Sequence, residues 1–150
     1  MGDRAVAGFR AKASDPTIFI YQHWSGYDQT AKLANAIEKA KPRWGDDSYA
    51  TRIALSQLIG DDWNQELGYG IYVGGTSHGA DYSYILVVDW SKREVLVCDN
   101  DNSDRVIEAI SFDDFISNHE VLVPNSTMSL DAEKHAAFIA KYPELAKLSS

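Results

Sequence analysis

The stretch DYSYILVVDW (residues 81–90), followed by Ser91-Lys92 and then REVLVC (93–98), decides the fold. β-Branched and aromatic residues fill two runs separated by a two-residue turn, the pattern of an antiparallel hairpin. Upstream, GYGIYVGG (68–75) reads as a glycine-rich strand. Downstream, Asp99 to Asp104 is a polar turn, and Arg105 to Ile110 adds a further strand. Together these predict an antiparallel β-meander sheet of about four strands. Ser111 to Ser117 then reads as a short capped helix.

Further upstream, Thr17 to Tyr21 is a first strand, set off by Asp15-Pro16. Asp28 is a good N-cap for a helix over 29–41, which carries Leu33, Ala34, Ile37 and Ala40 at helical spacing and stops at Pro42. A second helix starts at Asp46-Asp47-Ser48 and runs to Ile59. Its stripe of Ala50, Ile53, Ala54, Leu55, Leu58 and Ile59 is wide enough for a mostly buried helix, and Gly60 is placed to terminate it. Val121-Leu-Val is too short to assign. A last helix spans about 130–148, kinked or split at Pro143. Residues 1–15 show no period and read as a mobile lead-in, leaving 16–150 as one domain. The order predicts an α+β fold, with two central helices and a C-terminal helix packed on the sheet.

The chain has 150 residues, 45% hydrophobic and 24% charged, with a net charge of −8. That acidity argues against binding to a DNA backbone or an anionic membrane, which reward clustered positive charge. No apolar run is long enough to span a membrane, and no secretory leader is evident. Cys98 is the only cysteine, so an intrachain disulfide and a CxxC metal site are excluded. A cytoplasmic protein without cofactor follows as the expectation.

The most distinctive text is Tyr21-Gln-His23-Trp24-Ser-Gly26-Tyr27, followed by Arg43-Trp44, Asp47, Tyr49, Arg52, Ile59-Gly60 and Gly68-Tyr-Gly-Ile71. Over residues 17–116 it resembles a family of small phage and prophage proteins in which a His-Trp-Asp-Gly-Tyr-like turn follows the first strand. Two helices and a tyrosine-rich meander come next in that family. Ser25 stands here where the resemblance leads one to expect an acid, and Asp28 where it leads one to expect proline. The resemblance implies a viral or mobile-element setting, inside a bacterial host cell, and no particular activity.

Candidate ligand residues are Trp24, Tyr27 and Tyr69 for stacking, and Arg43 and Arg52 for neutralising phosphate. The Gly74-Gly75 loop, with His78, would close above. Each has a structural alternative: Trp24 in the core, Gly26 at positive φ, Arg52 paired with Asp61 or Asp62, and the glycine run as a bulged hairpin loop. Asp99 to Asp104 imitates an EF-hand start, but Asp104 replaces the glycine and Ile110 the final glutamate. His23, His78, His119 and His135 lack zinc spacing, so no metal is expected. Cys98 with His78 or His119 would make a thiol hydrolase, although an apolar strand end suits a buried thiol better.

The leading expectation is a non-enzymatic protein that sequesters a small anionic ligand, a nucleotide immune signal of host anti-phage defence. The alternatives are a protein–protein interaction module, acting as inhibitor or assembly part, and a small Cys/His hydrolase. A homodimer is the expected assembly.

Overall fold

The computed structural model describes residues 2–74, 78–122 and 132–147. Six strands form one sheet: β1 (Ala5–Arg10), β2 (Ile18–Gln22), β3 (Tyr69–Val73), β4 (Tyr84–Asp89), β5 (Glu94–Asp99) and β6 (Val106–Ser111). Their spatial order is β3-β2-β1-β4-β5-β6. The hairpin read from 81–98 is β4–β5, and β6 extends it as an antiparallel meander.

The reading of residues 1–15 as a lead-in is corrected. β1 lies in the middle of the sheet, antiparallel to β2 and parallel to β4. Its sequence AVAGFR shows no alternation because both faces are covered, so every residue from Ala5 to Phe9 is buried. Gly8 is needed there: an added Cβ would come within 2.7 Å of the Thr17 methyl and 3.0 Å of the Phe19 ring. The expected four-stranded antiparallel sheet therefore becomes a six-stranded mixed one. The glycine-rich strand pairs with β2 at the sheet's edge and is separated from β4 by β2 and β1.

One face of the sheet carries the helices α1 (Gln29–Lys39), α2 (Asp47–Ile59), α3 (Phe112–Asn118) and α4 (Ala132–Lys141). On α1, Leu33, Ala34, Ala36 and Ile37 are buried; a 3-10 turn follows at Lys41–Arg43, where Pro42 ends the helix. On α2, Ala50, Ala54, Leu58 and Ile59 are buried, while Ile53 and Leu55 are only partly covered, so this helix is half-buried rather than central. Gly60 takes φ +60 as α2 ends. The Ser111 hydroxyl caps α3 by accepting the Asp114 N–H at 3.2 Å. Pro143 splits the C-terminal helix into α4 and a 3-10 turn over Pro143–Lys147. Trp90, stacked on Phe9 and met edge-on by Phe112, fastens strand to helix.

The opposite face buries Val6, Phe19, Ile85, Val87, Leu96 and Cys98. His78 and Ala80, ahead of β4, pack on it. The His78 ring lies 4.3 Å from the Phe19 ring, and its Nδ1 and the Tyr72 hydroxyl are 2.5 Å apart. The His78 N–H donates to the Asn100 carbonyl, and the Asn100 amide donates to the Ala80 carbonyl. At one end of this face, Arg10 donates to the buried Asp89 carboxylate at 2.9 Å. Burial alone would raise that carboxyl, but the Ser91 hydroxyl, the Lys92 N–H and Arg10 together hold it below the usual carboxylate range.

Candidate binding surface along the β3 edge

The His23–Tyr27 turn is a corner tied to the N-terminal residues. The Asp3 carboxylate accepts the Tyr27 N–H at 2.7 Å and the Tyr82 hydroxyl at 2.9 Å. The Gly26 N–H donates to the Asp3 carbonyl. Glycine is required at 26 by close packing against Asp3 and Tyr82, and its φ is not positive. Ser25 is buried and accepts from the Lys32 ammonium at 3.3 Å. Tyr27 points outward, 72% exposed.

Trp24 is not in the core: it is 60% exposed. Its ring lies across Gly68, which has φ +104 and where a Cβ would come within 2.8 Å of the indole. The turn is zipped to the entry of β3 by the His23 N–H donating to the Gly68 carbonyl. A groove of about 300 Å³ results, lined by Tyr21, His23, Trp24, Glu66, Leu67 and the Gly68–Gly70 backbone. Gly70 faces Tyr21 across the β2–β3 pair, where an added Cβ would meet the Tyr21 Cβ at 4.0 Å. The Tyr21 hydroxyl and His23 Nδ1 are 2.5 Å apart.

Of the other residues read from the sequence, only Tyr69 joins Trp24 in this groove. Arg43 lies at the opposite end of the sheet. Trp24 follows the end of β2, beside the start of the antiparallel β1, whereas Trp44, next to Arg43, meets Ala11 and Trp90 beyond the ends of β1 and β4. The Arg43 guanidinium stacks over Tyr49 at 5.0 Å. Arg52 is exposed on α2 and forms no ion pair with Asp61, Asp62 or any other described carboxylate. Gly74, with φ +95, lines a separate cavity with Arg10 and Phe19. His78 is buried against Phe19 and Tyr72, and burial lowers its pKa. Gly75 lies outside the described residues.

A second groove, missed in the sequence, lies on the helix-bearing side of the same strand. It measures about 190 Å³ and is lined by Ile59, Asp62, Trp63, Gln65, Tyr69 and Ile71. The 3-10 turn Gly60–Asn64 projects Trp63 into solvent, 50% exposed. Ile71 and Val73 project on that same side, beyond the reach of the helices, and both are exposed. β3 thus has one groove on each face, and among the described residues only β2 pairs with it. The signal was present in YGIYV, an uncharged strand with no proline, the composition of an unprotected edge.

The remaining candidates have structural explanations. Cys98 is buried, and its thiol is pushed up to about 12, mainly by burial, which removes the thiolate that nucleophilic attack requires. The Asp99–Asp104 run forms a turn in which Asp99 accepts the Asp101 N–H and Asn102 accepts the Asp104 N–H. Among the described residues no group of His, Cys, Asp and Glu is arranged to hold a metal, and no helix is long and apolar enough to cross a membrane.

The fold and surface define an α+β protein built on a mixed sheet with one edge that is uncovered among the described residues and lies between two grooves. Comparison with family models, curated proteins and solved structures found no match for this chain.

Proposed function

We propose that this protein is a non-enzymatic binding module that recruits another polypeptide by strand addition along β3. The observation supporting this reading is the unpaired edge of β3 with a groove on each of its faces. Successive side chains of an added strand point to opposite faces, so alternate residues would enter the Trp63 and Trp24 grooves while the main chain completes the sheet. The resemblance to phage proteins makes a host protein in the bacterial cytoplasm the natural partner.

The test uses a short neutral peptide alternating valine and threonine, and the same peptide N-methylated at alternate residues. The unmodified peptide should slow amide exchange in residues 69–73, and the methylated one should not. Equal effects of the two peptides, or exchange unchanged by either, would refute strand addition.

A second reading, capture of a small phosphate-bearing anion, is favoured by the distribution of positive charge. Lys12, Lys39, Lys41, Arg43, Lys92 and Arg93 form no ion pair among the described residues; Lys39 closes α1, and the others follow the ends of β1, α1 and β4 on the Trp44 side. A cleft of about 240 Å³ opens there between Trp44 and Trp90, with Arg93 at its rim and over the Trp44 ring. In this reading the nucleotide leaves the Trp24 groove, lined by Glu66 and by no lysine or arginine, for the Trp44 cleft, where Arg93 offsets the lining Asp47. Titration with inorganic triphosphate and with ADP should shift the Trp44 and Trp90 indole resonances, and Arg93→Ala should abolish the shift. Unmoved indoles with both probes would remove this reading.

A further inference from the structure

The two grooves beside β3 differ from ordinary apolar pockets in their charge. Asp62 stands in one and Glu66 in the other; both residues are exposed, and neither forms an ion pair among the described residues. No lysine or arginine lines either groove. Each groove also presents one half-exposed indole, Trp63 on the helix side and Trp24 on the other. An indole beside a carboxylate suits a long cationic side chain. Its alkyl stem covers the ring, its charged head takes the cation–π position, and the carboxylate pairs with it. This arrangement occurs on both faces of one strand edge.

Resting on the strand-addition reading, we infer that the segment added to β3 is basic, with a lysine or arginine at a residue facing the Trp63–Asp62 groove and another at a residue facing the Trp24–Glu66 groove. Because the two grooves lie on opposite faces, those residues are separated by an odd number of positions along the partner strand. The whole chain carries −8, so a basic segment is also steered toward it over longer range.

Charge decides against a second copy of this chain as occupant. β3 is YGIYV and offers no cation, so β3–β3 pairing would cover Asp62 and Glu66 without a counter-charge. An acidic or nucleic-acid partner meets like charge in both grooves.

The experiment compares three peptides on one alternating valine–threonine framework: neutral, with two lysines an odd number of positions apart, and with two glutamates at those positions. Affinities are read by fluorescence anisotropy against the full-length protein at low and high salt. The lysine peptide should bind about tenfold tighter than the neutral one, the effect of two partly exposed ion pairs of roughly 0.7 kcal/mol each. That advantage should shrink in high salt and disappear in the Asp62→Asn/Glu66→Gln variant, whose thermal midpoint reports that it remains folded. Equal binding of lysine and neutral peptides would overturn the charge inference while leaving strand addition standing. Tighter binding of the glutamate peptide would also overturn it. Failure of all three peptides would remove both readings. A dimer in sedimentation that Ile71→Lys dissociates would identify a second copy as the occupant and refute a basic partner.

Discussion

The two edges of the sheet have been treated differently by the same chain. At β6, the C-terminal turn folds back so that the Glu144 N–H donates to the Glu108 carboxylate at 3.2 Å, and Leu145 is buried in the helix-side core. Tyr142, just before that turn, places its hydroxyl 2.6 Å from the Asp114 carboxylate on α3. A register shift between Val97 and Cys98 further disturbs the β5–β6 ladder. Bulges, inward charge and covering segments are the usual means of blunting an edge. At β3 none of these appears among the described residues; exposed Ile71, Val73 and Leu67 stand there instead. One edge is built into the protein's own stability, and the other is uncovered among the described residues.

The strongest test of that contrast is stability. Leu145→Ala should lower the unfolding free energy by about 2–4 kcal/mol, the range for truncating a buried leucine. Ile71→Ala, at a half-exposed site, should change it by less than about 0.5 kcal/mol. Urea midpoints of the two variants would show this directly, and equal losses would mean that β3 is structural. Next in size, Ile71→Lys should weaken the neutral strand peptide about tenfold or more by placing a charge in the pairing edge, with the urea midpoint nearly unchanged. An unaltered affinity would place the peptide elsewhere.

A smaller effect separates the edges by pH. Hydrogen bonds from Lys141 and Tyr142 hold the Asp114 carboxyl below its usual range. A depressed carboxyl contributes stability that is present above the ordinary value near about 4 and is lost as pH falls through the lower folded value. Asp114→Asn should therefore reduce the thermal midpoint at neutral pH and flatten its fall in acid. Because Lys141 is exposed, added salt should diminish the difference. An acid limb identical to that of the parent protein would exclude this contact as a stabiliser of the covered edge.

The smallest effect concerns the β3–β4 connection. Burial lowers the His78 pKa, so the unfolded chain takes up a proton before the folded one does. Stability should decline as pH drops below about 6.5 toward the lower folded value, and His78→Gln should remove that decline. A parent protein whose thermal midpoint is level across this window would refute the buried, neutral state of His78.

Much of the architecture was legible because local signals agreed. β4 and β5 carry unbroken β-branched runs about a short turn, Ser111 caps α3, and Pro42 and Pro143 end their helices where rigid φ and a missing N–H require it. β1 escaped because small residues in a strand covered on both faces produce no alternation. The candidate site was legible only in pieces. Trp24 and Tyr69 meet in a groove, whereas Arg43 and Arg52 do not reach it, since helical and strand periodicity report which face a residue takes and not which end of the sheet it occupies.

The sequence by itself determined the class of fold, the presence of the helices and the acidic balance, because periodicity, breakers and charge are properties of short segments; helix ends were less exact, with α1 stopping at Lys39 rather than 41. The tertiary structure alone decided that residues 5–10 occupy the middle of the sheet, that YGIYV becomes its edge, and that Trp24 and Trp63 flank that edge from opposite faces. Such facts depend on strand order, which is fixed by how distant segments share one core rather than by what any segment prefers on its own.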